Sequence, residues 1–207
     1  MVLKSNIGIL AFDDGPHKRE DLLHLSNDPD YLPRSVPLIG VFCHGTQLIH
    51  VSQSTITVDG TDATHQILEV YHNHPFRQEI RLIMIDSPTL AGFNPPNPFD
   101  IHLQTGIPVV LIPSSEPKSH IAEVYAQVFP DRTETIAFLQ QLPPLESLNV
   151  HINADPHTSR MIYFHVIGAS KDEIQGVLHN VSLYSAIPEP LRIAHIIASS
   201  LHLQQKI

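Results

Sequence analysis

Ala11-Phe12-Asp13-Asp14-Gly15-Pro16 closes a run of mostly apolar, β-prone residues, Ile7 to Phe12, with two carboxylates and a Gly-Pro break. Such a run predicts a buried strand that delivers paired acids to the end of a sheet. Any branched apolar residues would build the strand, so the acids at its tip point to a demand other than packing. They are either part of a metal site or the opening of a turn.

Working outward, His17 to Pro37 is polar and rich in proline, which predicts a long excursion over the surface rather than core. Leu38 to Cys43 and Gln47 to Val58 are β-rich runs separated by His44-Gly45-Thr46, the pattern of a hairpin pairing against the first strand. At Asp59-Gly60-Thr61-Asp62 the period changes, and Ile67, Leu68, Val70 and Tyr71 share one helical face. Asp62 or Thr61 is expected to cap that helix, and on local sequence alone the acids here read first as turn and cap residues. Arg81 to Ile85 is another apolar strand that ends in an acid, Asp86. Three strand ends or strand-to-helix junctions therefore finish in aspartate.

Beyond Asp86, a loop leads to a short helix around Phe99 to Gln104, and Gly106 to Ile112 reads as a fifth strand buried on both faces. Glu116 to Phe129 and Thr133 to Gln141 have helical spacing, broken by Pro130 and Pro143-Pro144, and are expected to cover one sheet face. Val150 to Asn153 and Met161 to Ile167 are expected to form a further β pair. Lys171 to Leu183 is amphipathic. Pro188-Glu189-Pro190 opens a last helix with Leu191, Ala194, Ile197, Ala198 and Leu201 inward.

The 207 residues suit one α/β domain spanning 1–207, with no linker-like composition to divide it. The apolar runs are strand-sized and the first residues lack the pattern of a secretory signal, so a soluble, cytoplasmic protein that does not enter a membrane is expected. A single cysteine, Cys43, excludes an internal disulfide and a cysteine-cluster zinc site; in its apolar run it is expected to be buried and inert. A net charge of −9 argues against indiscriminate, long-range capture of nucleic acid. It leaves open a local site that meets phosphate through the charge of a bound ion.

Mg2+ or Mn2+ requires hard oxygen ligands, usually one or two carboxylates with water and phosphate oxygens. Asp13, Asp59 or Asp62, and Asp86 are separated by whole structural elements, which is how a sheet assembles one site from distant parts of a chain. Two ions held there would activate water and stabilise the leaving oxygen of a phosphodiester. His72-Asn73-His74-Pro75 resembles the zinc-binding stretch of metal-dependent deubiquitinase-like peptidases, but Phe76 to Ile83 supplies neither the serine nor the aspartate that pattern needs. It reads instead as a polar helix C-terminus closed by proline. In the last helix Arg192, His195 and Ser199 fall on adjoining positions of one side. The ordinary reading of His195 is a satisfied surface histidine; aimed at the acidic strand ends, it and Arg192 would orient phosphate or assist a water.

Four blocks, Phe12 to Pro16, Val58 to Thr64, Ala91 to Asn94 with Thr105 to Val109, and Pro188 to Ala198, resemble in order the hallmark blocks of the endonuclease dU family, related to endonuclease V. The resemblance implies a ribonuclease H-like α/β fold: a mixed five-stranded sheet of three antiparallel strands followed by parallel ones, with helices on both faces. It implies a metal-dependent endonuclease acting on DNA with deaminated bases, uracil in particular, with Mg2+ or Mn2+ as cofactor. Carried onto this chain, Asp13 takes the first ligand position, Asp59 or Asp62 the second and Asp86 the third, with His195 as a late-helix assistant. Asp14 is expected to support the Gly15-Pro16 turn, and Gly92, Phe93 and Asn94 to form part of a base pocket. Where the family pattern places Asp-Gly after the fourth strand, this chain has Asp86-Ser87, so a loop of different backbone freedom is expected. The alternative is a non-catalytic nucleic-acid or nucleotide binder on the same fold.

Overall fold

In a computed structural model, which describes residues 6–18, 21–22, 34–117, 119–152 and 154–204, the chain forms one seven-stranded mixed sheet with helices on both faces. β1 (Gly8–Asp14) pairs antiparallel with β2 (Ser35–His44), which pairs antiparallel with β3 (Gln47–Thr57). On its other side β1 lies parallel to β4 (Ile80–Ile85), and β4 lies parallel to β5 (Val109–Leu111). The expected antiparallel trio followed by parallel strands is thus present.

The five-strand count is too low. β7 (Asp155–Ile167) runs antiparallel to β5, with Val109 opposite Ile167, and β6 (Glu146–Ile152) pairs antiparallel with β7, giving the order β3-β2-β1-β4-β5-β7-β6. These are the residues whose alternation predicts a β pair; pairing with β5 makes them part of the main sheet. Asn153 and most of the His17–Pro37 excursion, residues 19–20 and 23–33, lie outside the described residues.

Alternation along the central strands sorts the core. Leu10 and Phe12 of β1 face one layer with Ile83 and Ile85, where they meet α1 (Ala63–His72), α2 (Pro98–Thr105), α3 (Ile121–Val128) and α4 (Thr133–Gln140). Ile9 and Ala11 face the opposite layer with Leu82 and Met84, where α5 (Lys171–Val181) contributes Ile174, Val177 and Leu178. α6 (Glu189–Gln204) lays Ala194 and Ala198 on Ile39, Val41 and Cys43 of β2. The alanines let the helix sit close to the sheet, and this sets where His195 ends up. Fully burying a large aliphatic or aromatic side chain contributes about 1.5–3 kcal/mol, so the central strands, apolar on both faces, are the most firmly held part of the molecule.

Cys43 is fully buried, and burial followed by the charge of Glu189 pushes its thiol up to about 12, as an inert core residue requires. His72 and His74 do end α1 as a polar terminus. His74 is buried against Phe42, Phe76 and His50, its Nδ1 accepts the Phe76 N–H, and burial first, then His50, lower its pKa to about 4. With Nδ1 accepting, its ring proton sits on Nε2, which is buried without a hydrogen-bond partner among these rings, so it is a packing residue. No described helix is long and apolar enough to cross a membrane.

Candidate metal and active site

The parity of a strand divides Asp13 from Asp14. Asp13, in phase with Ile9 and Ala11, meets α6: its Oδ2 lies 2.8 Å from His195 Nδ1, and its Oδ1 accepts the Asp14 N–H at 2.8 Å. Asp14, in phase with Leu10 and Phe12, turns to the other layer and accepts the Ala91 N–H through Oδ2 at 3.0 Å, with His17 Nδ1 3.8 Å from the same oxygen. The Gly15 N–H is taken by Pro37 O, so the turn after the strand is held by β2. Asp86 follows β4 directly, and its N–H donates to Phe12 O at 3.0 Å, which continues the parallel ladder and places it beside Asp13.

These carboxylates act on one another. Burial first, then the charge of Asp13, push Asp14 up to about 7 against the Ala91 hydrogen bond, with Asp86 adding to the push. Burial and Asp13 likewise carry Asp86 to about 7, opposed by His195. Asp13 itself is raised by burial, with the Asp14 N–H and His195 counteracting. Like charges crowded into a half-dry cleft, with few hydrogen bonds to settle them, are the signature of groups awaiting a cation or a proton. An ionised carboxylate only accepts, so His195 Nδ1 carries the proton and its Nε2 is left on an exposed side of the helix.

The other predicted acids are placed one loop away. Asp59, fully buried at φ 53°, accepts the Phe93 N–H through Oδ1 at 2.8 Å, while its own N–H donates to Ala91 O at 2.8 Å. Ala91 thus bridges Asp14 and Asp59. Asp62 turns back from the start of α1 to accept from Thr57 N, Thr57 Oγ1 and Asn94 Nδ2, and does not cap the helix with its side chain. The first α1 amide, Ala63 N–H, is taken by Asn94 Oδ1 from a different loop. Asn94 is fully buried and Phe93 packs edge-on against Tyr125 and Phe129. Gly92, at φ 79°, sits where a Cβ would strike the Asp59 carboxylate, so glycine is required both for the turn and for the close approach.

Arg192 does not join the cluster: it forks onto both oxygens of buried Glu189 at 2.7 Å, and its guanidinium lies over Tyr184. Arg132, unmarked by any motif, donates to Asp59 O at 2.8 Å and Gly60 O at 3.2 Å and lies over Phe129. Ser87 adopts φ 81°, the left-handed region that a glycine takes without cost. The backbone after Asp86 thus has a glycine-like conformation without glycine. With Asp59 and Ala91, all described non-glycine residues of positive φ lie in loops that border the acids, where strain of about 1–3 kcal/mol each is characteristic of functional sites.

The donor set fits a hard divalent cation. Among the described residues no group of three His, Cys, Asp or Glu side chains is placed to hold a metal ion together, but Mg2+ keeps several waters and needs only one or two carboxylates from the protein. Asp13 and Asp86, with Asp14 near both, supply that number at neighbouring strand ends, and a cation would relieve their repulsion.

Comparison with known proteins agrees with this architecture. The chain is 32% identical over 209 residues to a UPF0215 protein of Methanothermobacter thermautotrophicus, covering 97% of this chain and 90% of that one. Its fold matches a protein of unknown function from Archaeoglobus fulgidus with a TM-score of 0.72 and 21% identity, over 94% of this chain and 98% of the other. It also matches endonuclease V of Ciona intestinalis, in complex with DNA containing an inosine followed by a ribo-adenosine, with a TM-score of 0.59 and 10% identity, over 100% of this chain and 89% of the other. The endonuclease dU family model matches residues 5–202, and the chain belongs to that family.

Proposed function

We propose that this chain is a divalent-metal-dependent endonuclease that hydrolyses phosphodiester bonds in DNA containing deaminated bases, uracil among them. The observation that carries the reading is the convergence of Asp13, Asp14 and Asp86 at neighbouring strand ends with His195 bonded to Asp13. Family membership and a fold shared with endonuclease V support a nuclease. Mg2+ or Mn2+ would be held by Asp13 and Asp86, with Asp14 alongside; when bound it lowers the pKa of a water and draws charge from phosphate oxygens. His195 fixes the Asp13 carboxylate through Nδ1–H and offers Nε2 on the exposed side, where it can accept a proton from water or hold one toward a phosphate oxygen. Asp59 acts from behind, fixing the 90–94 loop that Asp14 grips.

The test is cleavage of oligonucleotides bearing uracil, hypoxanthine or no lesion, with Mg2+ and with chelator, by the parent protein and by Asp13→Ala and Asp86→Ala. The expected result is lesion-dependent, Mg2+-dependent cutting that both substitutions abolish. Equal cutting by the variants would overturn the assignment, and binding without cutting under any metal would make the chain a nucleic-acid-binding module.

A further inference from the structure

A cavity of about 280 Å³ opens past the ends of β4 and β5. Its walls are Pro88, two residues beyond Asp86, with Pro117, Ile121 and Leu145, and its polar groups include the imidazoles of His120 and His165. The volume lies just under the usual range for drug-sized ligands, about 300–1,000 Å³, and so suits a single small heterocycle. The 90–94 loop, the expected base pocket, has no such space: Asn94 is fully buried and Phe93 is packed on Tyr125 and Phe129.

The two histidines are locked in opposite tautomers by the backbone. His165 Nδ1 lies 2.7 Å from Pro143 O, and a carbonyl only accepts, so Nδ1 holds the proton. Burial lowers the pKa of His165 against the opposing hydrogen bond to Pro143, with a smaller push from His120, and with the proton held on Nδ1 the Nε2 atom is left as an acceptor. His120 caps α3 with the reverse arrangement: its Nδ1 accepts the Ala122 N–H at 3.4 Å, which places a ring proton on Nε2, a donor. The two imidazoles therefore give the cavity one donor and one acceptor, beside the hydroxyl of Ser119 and between apolar walls.

We infer that this cavity receives a nucleobase turned out of its strand and reads its lactam edge, the carbonyl accepting from His120 Nε2–H and the adjacent ring N–H donating to His165 Nε2. Uracil and hypoxanthine carry that edge. Cytosine and adenine, from which deamination produces them, present an amine and a bare ring nitrogen in its place and set donor against donor and acceptor against acceptor. Thymine and guanine share the lactam edge; in duplex DNA they are disfavoured because a paired base costs more to extrude than a mispaired one. The inference rests on the proposed endonuclease reading for its biological substrate, but the recognition itself is separable from cleavage.

The test is therefore a binding measurement on the whole metal-free protein. 2′-Deoxyuridine, 2′-deoxyinosine, 2′-deoxycytidine and 2′-deoxyadenosine are titrated while the histidine imidazole signals are followed by NMR, assigned with His120→Ala and His165→Gln. Deoxyuridine and deoxyinosine are expected to shift both imidazoles and to bind at least about tenfold more tightly than the other two, the lower range for a two-bond edge. His120→Ala, at an exposed position, should erase the preference while circular dichroism stays unchanged; His165→Gln, which keeps an acceptor, should retain part of it. Equal binding of all four nucleosides, shifts confined to other histidines, or a preference that survives His120→Ala would overturn the pocket assignment. A parent protein that shows the preference and cuts no DNA would overturn the nuclease reading and leave the pocket standing.

Discussion

The molecule carries two sets of aspartates a single loop apart, and their surroundings are opposite. Asp62 is saturated: the Thr57 N–H, the Thr57 hydroxyl and the Asn94 amide all donate to it. Asp14 and Asp86 are left half-buried against Asp13 with so few donors that both are pushed up to about 7. A carboxylate placed for structure is surrounded by N–H and O–H groups that make its charge cheap. A carboxylate placed for chemistry is held beside others of its kind, and the fold bears the repulsion until a cation or a proton removes it.

The sharpest way to break this contrast is by truncation. Asp13→Ala or Asp86→Ala should reduce metal-dependent cleavage by at least about a hundredfold, the upper range for groups that merely support metal ligands, whereas Asp62→Ala should leave the cleavage rate of folded protein near the parent value. Single-turnover kinetics at saturating Mg2+ distinguish the two. His195→Ala should cost about 10–100-fold. Because His195 opposes the upward push on Asp13 and Asp86, its loss should also move the rising limb of the pH–rate profile to higher pH, which a purely structural helix residue would not do.

The stability effects run the other way. Asp62→Ala leaves the Thr57 and Asn94 donors without their acceptor and should cost about 1–3 kcal/mol by denaturant unfolding. Asp14 and Asp86 have folded-state pKa values of about 7 against an ordinary carboxylate value of 3.8. Between those values the folded protein binds more protons than the unfolded chain, so metal-free stability falls as pH rises through that window. Asp13→Asn removes the second cause of both shifts, so its Tm should gain on the parent as pH rises from about 4 to about 7 and beyond, with Mg2+ narrowing the gap. A Tm difference that stays flat with pH would sink the claim that the acids are mutually strained. The smallest effect expected is from Ser87→Gly: at φ 81° glycine should stabilise by about 0.5–1 kcal/mol.

Much of this arrangement is legible in the amino-acid sequence, and the legible part has a physical common thread. The β1, β4 and α6 elements announce themselves through continuous apolar runs or helical spacing, and the acids at the ends of β1 and β4 stand out because packing has no use for them. What stays hidden is whatever depends on two distant loops meeting. Asp62 sits at a helix start with cap-like spacing, yet its carboxylate is drawn back onto Thr57 and onto the amide of Asn94, 32 residues further on. Arg192 sits on the same side as His195, but three residues of helix bring it onto Glu189 first. Arg132 has no local signal at all, since its partners are carbonyls of residues more than 70 positions earlier. Asp14 is the instructive intermediate case. Its side chain must leave the strand opposite to that of Asp13, so two adjacent acids cannot share one layer, and the strand alternation already implied that each would find a different partner.

The bond between His195 and Asp13 joins positions 182 residues apart. Among the described elements Asp13 lies on the earliest strand in chain order and His195 on the latest helix, so β1 and β4 with their acids emerge before the imidazole does. Closing so long a loop is the kind of contact that forms late. The acids gain their imidazole only with α6 in place, its alanines packed on β2. The histidine thereby serves as a completion mark: a copy without α6 in place carries a weakened site, a useful property in a protein whose proposed work is to cut DNA.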